Sequence, residues 1–127
     1  MENKRYISEL HADHKEWISK LSFYKEEIVS FEMRLGEVAR ANNTKEISAQ
    51  VEHFQNQFIR QGELIDELKH AIQQHEKVLS EAVETNPVAS DHRYVSDHGM
   101  LREQVKTFEN IYHDLKVEFS HFLSKSL

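Results

Sequence analysis

Apolar side chains recur at alternating steps of three and four residues along three stretches of nearly equal length. The first runs Ile7, Leu10, His14, Trp17, Leu21, Tyr24, Ile28, Phe31, Leu35, Val38. The second runs Ile47, Val51, Phe54, Phe58, Gln61, Ile65, Leu68, Ile72, His75, Leu79, Ala82. The third runs Asp91, Tyr94, His98, Leu101, Val105, Phe108, Tyr112, Leu115, Phe119, Phe122. A 3–4 step keeps one face of an α-helix turned toward a partner, so the pattern predicts helices with coiled-coil-like heptad seams. The fold class is all-α: an elongated antiparallel three-helix bundle.

The breaks between stretches set the boundaries. Ala41-Asn42-Asn43-Thr44 combines Asn, which tolerates left-handed backbone, with Thr44 as an N-cap. Thr85-Asn86-Pro87 offers Asn86 as an N-cap and Pro87 at the first helical position, where its missing N–H has no intrahelical partner. A later cap at Ser90 or Ser96 would leave 86–95 as a loop. The early start is preferred because it gives three helices of about 40 residues, roughly 60 Å each, which cover one another fully. The single domain 1–127 then has helices at about 3–41, 44–84 and 86–125. Gly99 lies inside the third stretch and marks a possible kink.

Short connections make consecutive helices antiparallel. Facing positions in the first pair then sum to about 85, and in the second pair to about 170. The resulting layers place Phe31 with Phe54 and Leu115, and Tyr24 with Gln61 and Phe108, so that a phenol sits beside the one seam amide. Phe31, Phe54, Phe58, Phe119 and Phe122 are expected to gather at one end.

The other end is polar. His14, Ile72 and His98 share one level; Leu10, His75 and Tyr94 lie one turn on, and Ile7, Leu79 and Asp91 beyond them. Three seam histidines from three helices thus fall within about 5 Å along the axis. His11, Asp13, His70, Glu76, His92 and Asp97 flank the seam nearby. Convergent imidazoles and carboxylates are how helical bundles build metal sites. The candidate ligands are His14, His75 and His98, with Asp91 or Tyr94 as an oxygen donor and zinc as the first metal to consider. The structural alternative is a half-buried polar device that fixes register.

Composition narrows the classes. With 22 acidic and 16 basic side chains the net charge is −6, and no basic cluster offers a grip on phosphate backbones. Nucleic acid is not an expected partner. The absence of cysteine rules out disulfides and thiolate chemistry. No run reaches the roughly 20 apolar residues of a membrane span, and the N-terminal segment has no secretory-signal core. The expectation is a cytoplasmic protein with no membrane contact. Glu67-x-x-His70 and Glu118-x-x-His121 carry a di-iron spacing but lie off the seam, about 15 residues or 22 Å apart along the axis. Gly36, Gly62 and Gly99 form no phosphate loop, and no serine has triad context. No catalytic residues are assigned.

Off the seam, Leu64, Ala71 and Val78 should widen the buried stripe of the second helix. Phe23, Val29, Met33 and Ile59 fall on outer positions of the first two helices and form a possible interface. In length and helix order the chain resembles a spectrin-type three-helix repeat, with Trp17 on the first seam, although the third helix has no tryptophan. The resemblance implies a spacer or docking role. The functional expectation is a non-enzymatic helical bundle for interaction or scaffolding, with a protein partner or self-association through helices 1 and 2. The alternative is a metal-binding bundle.

Overall fold

The computed structural model describes the backbone of residues 2–85 and 91–126, and the side chains of 7–81 and 96–126. Three helices follow one another: α1 (Glu2–Ala41), α2 (Lys45–Thr85) and α3 (Asp91–Ser126). The amphipathic 3–4 pattern dictates them, and the observed core repeats it. Every described seam position is buried or half-buried, including Leu21, Phe58, Ile65, Ile72 and Tyr112 at zero exposure. The protein is an all-α three-helix bundle. Among the described residues no helix is long and apolar enough to cross a membrane.

The first turn is built without left-handed backbone: no described non-glycine residue has positive φ. Asn42 instead stays near the helical path, its N–H donating to Val38 O at 3.0 Å. Its side-chain Nδ2 donates to Val38 O at 3.1 Å and to Ser126 O at 3.4 Å, so one amide closes the C-terminal ends of both α1 and α3. Thr44 caps α2, its Oγ1 accepting from Ile47 N at 3.4 Å. At the other connection α3 is already helical at Asp91, which removes the start at Ser96. Asn86, Pro87 and Ser90, on which the earlier starts depend, lie outside the described residues.

The α1–α3 register follows the layers drawn from the sequence. Tyr24 pairs with Glu109, Glu27 with Tyr112 and Asp13 with His98, each 85 residues apart. The antiparallel register does not follow them. His14 faces His75 rather than Ile72, and Phe31 faces Phe58. Side chains lean toward the N-terminus of their own helix. In a parallel pair the two leans agree and the offset survives. In an antiparallel pair they oppose, so touching tips belong to residues a few positions further along each helix.

Phe31, Phe54, Phe58, Phe119 and Phe122 form the aromatic end, with ring centroids 4.9–6.3 Å apart. Leu64 and Ala71 pack against the core as the sequence implied, but Val78 is 43% exposed. The expected Tyr24–Gln61 hydrogen bond does not form. Tyr24 Oη donates to a Glu109 carboxylate, a charged and better acceptor, and Gln61 Oε1 is left buried with no hydrogen-bond partner. An orphaned buried carbonyl costs about 1–3 kcal/mol. Gln61→Leu is therefore expected to stabilise the protein by about 1 kcal/mol in urea denaturation, and a clear loss of stability would refute this assignment.

Candidate metal centre

At the end opposite the phenylalanines the seam turns polar, and three helices deliver one buried imidazole each. His14 (α1), His75 (α2) and His98 (α3) are 2%, 7% and 1% exposed. The opposed lean that shifts the antiparallel register brings His75 level with the other two instead of one turn away. Ring centroids lie 5.0 Å apart for His14–His75, 5.1 Å for His14–His98 and 5.7 Å for His75–His98. One ligand nitrogen from each ring falls within 4.8 Å of the others. Trp17, one turn after His14, stacks on His98 at 4.7 Å and closes the site toward the apolar core.

Carboxylates from the flanks orient these rings. Glu76 Oε2 accepts from His14 Nδ1 at 3.3 Å and both Glu76 oxygens contact His11 Nδ1. Asp13 Oδ2 accepts from His98 Nε2 at 2.9 Å and pairs with Arg102 at 3.5 Å. These contacts assign the tautomers. With its Nδ1 proton given to Glu76, neutral His14 presents a lone pair at Nε2, which faces His75 Nδ1 at 2.9 Å. With its Nε2 proton given to Asp13, neutral His98 presents a lone pair at Nδ1, a buried atom with no hydrogen-bond partner. Two of the three rings thus hold a buried unprotonated nitrogen, one accepting from His75 and the other without a hydrogen-bond partner.

The electrostatics agree. Burial pushes His14 below the ordinary histidine value against the pull of Glu76, and His98 and His11 push it further down. Burial likewise lowers His98, opposed by Asp13. Glu76 is raised by burial, but its hydrogen bonds to His11 and His14 outweigh this and hold it below the usual glutamate range. His14 and His98 are thus held neutral while Glu76 is held negative beside them.

The residues named from the sequence divide accordingly. His14, His75 and His98 come together. The side chains of Asp91, Tyr94 and His92 lie outside the described residues. His70 and Asp97 are exposed, as are Glu67, Glu118 and His121 of the di-iron spacing. The described oxygen donors are Asp13 and Glu76, which sit beside seam histidines in the chain. A flanking position next to a seam histidine was the signal for them. A cleft of about 420 Å³ between α1 and α2 is lined by His14 and Glu76 and reaches the cluster from solvent.

No protein-family model, curated protein or solved structure matches the chain. The likeness to a spectrin-type repeat accordingly rests on helix number, length and order.

The lowered histidines set a pH dependence for the metal-free protein. The unfolded chain binds protons at these positions near pH 6.5, the folded chain only lower, so stability rises with pH through that window. Stability should be level above about pH 7 and fall below about pH 6.5. Glu76, whose folded value is lowered in the same sense, adds a further loss as pH falls below about 4.5. Chemical denaturation across pH checks this: the His14→Leu, His98→Leu double variant should lose the upper phase, and its persistence would refute the buried-neutral cluster.

Proposed function

We propose that this protein is a metal-binding helical bundle, with His14, His75 and His98 as ligands and zinc as the occupant. The observation that carries the proposal is the convergence of three buried imidazoles, with unprotonated nitrogens at His14 Nε2 and His98 Nδ1. Zinc accepts imidazole nitrogens at about 2.0–2.1 Å in a tetrahedron, which puts the nitrogens about 3.3 Å apart. The His14–His75 contact is already at 2.9 Å, and His98 closes from within 4.8 Å. Glu76 and Asp13 supply the carboxylate–histidine contacts that fix ring orientation and raise ligand basicity. The metal takes the place of the hydrogen between His14 and His75, which His75 carries instead on its other ring nitrogen, and because only neutral imidazole ligates, binding is favoured at higher pH. Copper(II) and nickel also accept imidazole, and competition ranks them.

The test uses untagged protein. Elemental analysis should find stoichiometric metal, and saturating zinc at about 100 times Kd should add about 2.7 kcal/mol, or about 10 °C in Tm. His98→Leu should abolish the zinc-dependent shift while remaining folded. No bound metal and a Tm unchanged by chelator would end this reading.

A second reading, non-enzymatic interaction or scaffolding, is favoured by the exposure of Phe23 (56%), Val29 (55%), Met33 (68%) and Ile59 (49%) on α1 and α2. It includes a protein partner or self-association through that face, and a cytoplasmic location suited to a cysteine-free chain. Sedimentation should show an oligomer that Phe23→Ser with Ile59→Ser dissociates; a monomer at all concentrations removes self-association.

A further inference from the structure

His14 belongs to two different trios at once. Its Nε2 faces His75 Nδ1 at 2.9 Å, inside the buried cluster. Its Nδ1 lies 3.3 Å from Glu76 Oε2, and Glu76 in turn contacts His11 Nδ1 through both oxygens. One ligand atom each from His11, His14 and Glu76 falls within 4.8 Å of the others. The outer trio differs in character from the inner one. His11 and Glu76 are each about one-third exposed, and the α1–α2 cleft that Glu76 and His14 line together with Lys15, Ser19 and Gln73 opens to solvent.

We infer that His11, Glu76 and the outward nitrogen of His14 form a second divalent-cation position, joined to the inner one by the His14 ring as an imidazolate bridge. The inference rests on the three-histidine reading, because the bridge needs an occupied inner position. Two nitrogens and one carboxylate oxygen suit copper(II) or zinc, and the cleft leaves room for water or a small anion to complete the coordination. A bridging ring places the cations about 6 Å apart, two metal–nitrogen bonds plus the width of the ring. The protons balance simply. His11 moves its proton from Nδ1 to Nε2 and loses none. His14 gives up its Nδ1 proton to solvent, one proton per bridge formed, drawn off by the positive charge on either side of the ring. In the single-metal arrangement that proton stays on His14 and Glu76 remains only its acceptor.

The two arrangements separate in a titration of chelator-stripped, untagged protein with copper(II) alone. The dinuclear site predicts two equivalents bound, with magnetic coupling between the two copper ions in the EPR spectrum. His11→Ala, at a position exposed enough to leave the core intact, should reduce the binding to one equivalent and restore an uncoupled copper signal. Glu76→Gln should do the same, whereas a carboxylate that merely orients His14 would weaken a single site by about 10–100-fold without changing the stoichiometry. One equivalent in the wild type, kept in His11→Ala and lost in His98→Leu, overturns the second position and leaves the three-histidine site standing. Two equivalents without coupling overturn the bridge. One equivalent lost in His11→Ala but kept in His98→Leu overturns the three-histidine reading and the bridge with it.

Discussion

Two reciprocal hydrogen bonds hold α3 in register with α1, and the polar end depends on that register. Tyr24 of α1 donates to Glu109 of α3, and Tyr112 of α3 donates back to Glu27 of α1 at 2.7 Å, where Lys116 also binds at 2.6 Å. Burial and then the neighbouring carboxylates push both phenols well above the usual tyrosine range, so they remain donors. Apolar packing alone specifies such parallel helices weakly, because one leucine slides past another at little cost. A phenol that must meet a carboxylate does not slide. The same 85-residue offset sets Asp13 against His98, so a slip by one turn would strand a buried imidazole without its partner.

That dependence explains how three polar rings persist within a dry seam. A buried imidazole is costly unless its nitrogens find partners. Here the partners come from the margins of the helices, where Asp13 and Glu76 keep one side in water and reach inward with the other. Each carboxylate is about one-third exposed and so keeps contact with solvent. The neutral rings inside and the anions outside form a gradient of charge across one bundle end.

Most of the fold was legible because the 3–4 pattern is strict, no proline interrupts the first two helices, and Gly36 and Gly62 fall off their seams. The Phe31–Phe58–Phe119 end and the His14–His75–His98 end both follow from the pattern. Three things did not follow. Layer arithmetic treats side chains as radial, so it set Ile72 where His75 stands. Hydrogen-bond choice depends on which acceptor is charged, so Glu109 displaced Gln61 as the partner of Tyr24. Six polar residues flank the seam histidines in the sequence, and only the packed helix faces separate Asp13 and Glu76, which reach the rings, from His70 and Asp97, which stay exposed.

Trp17 is the only tryptophan in the chain, and its indole lies stacked on His98 with the ring planes 30° apart and 5.8 Å from His14. Indole emission is quenched by a protonated imidazole in contact and by a paramagnetic ion nearby. The fluorescence of this protein is therefore an optical signal from one residue at one place, and that place is the histidine cluster. The described tyrosines, Tyr24 and Tyr112, can feed it energy but cannot report in its wavelength band. The molecule carries its own light source at the point where its chemistry is concentrated.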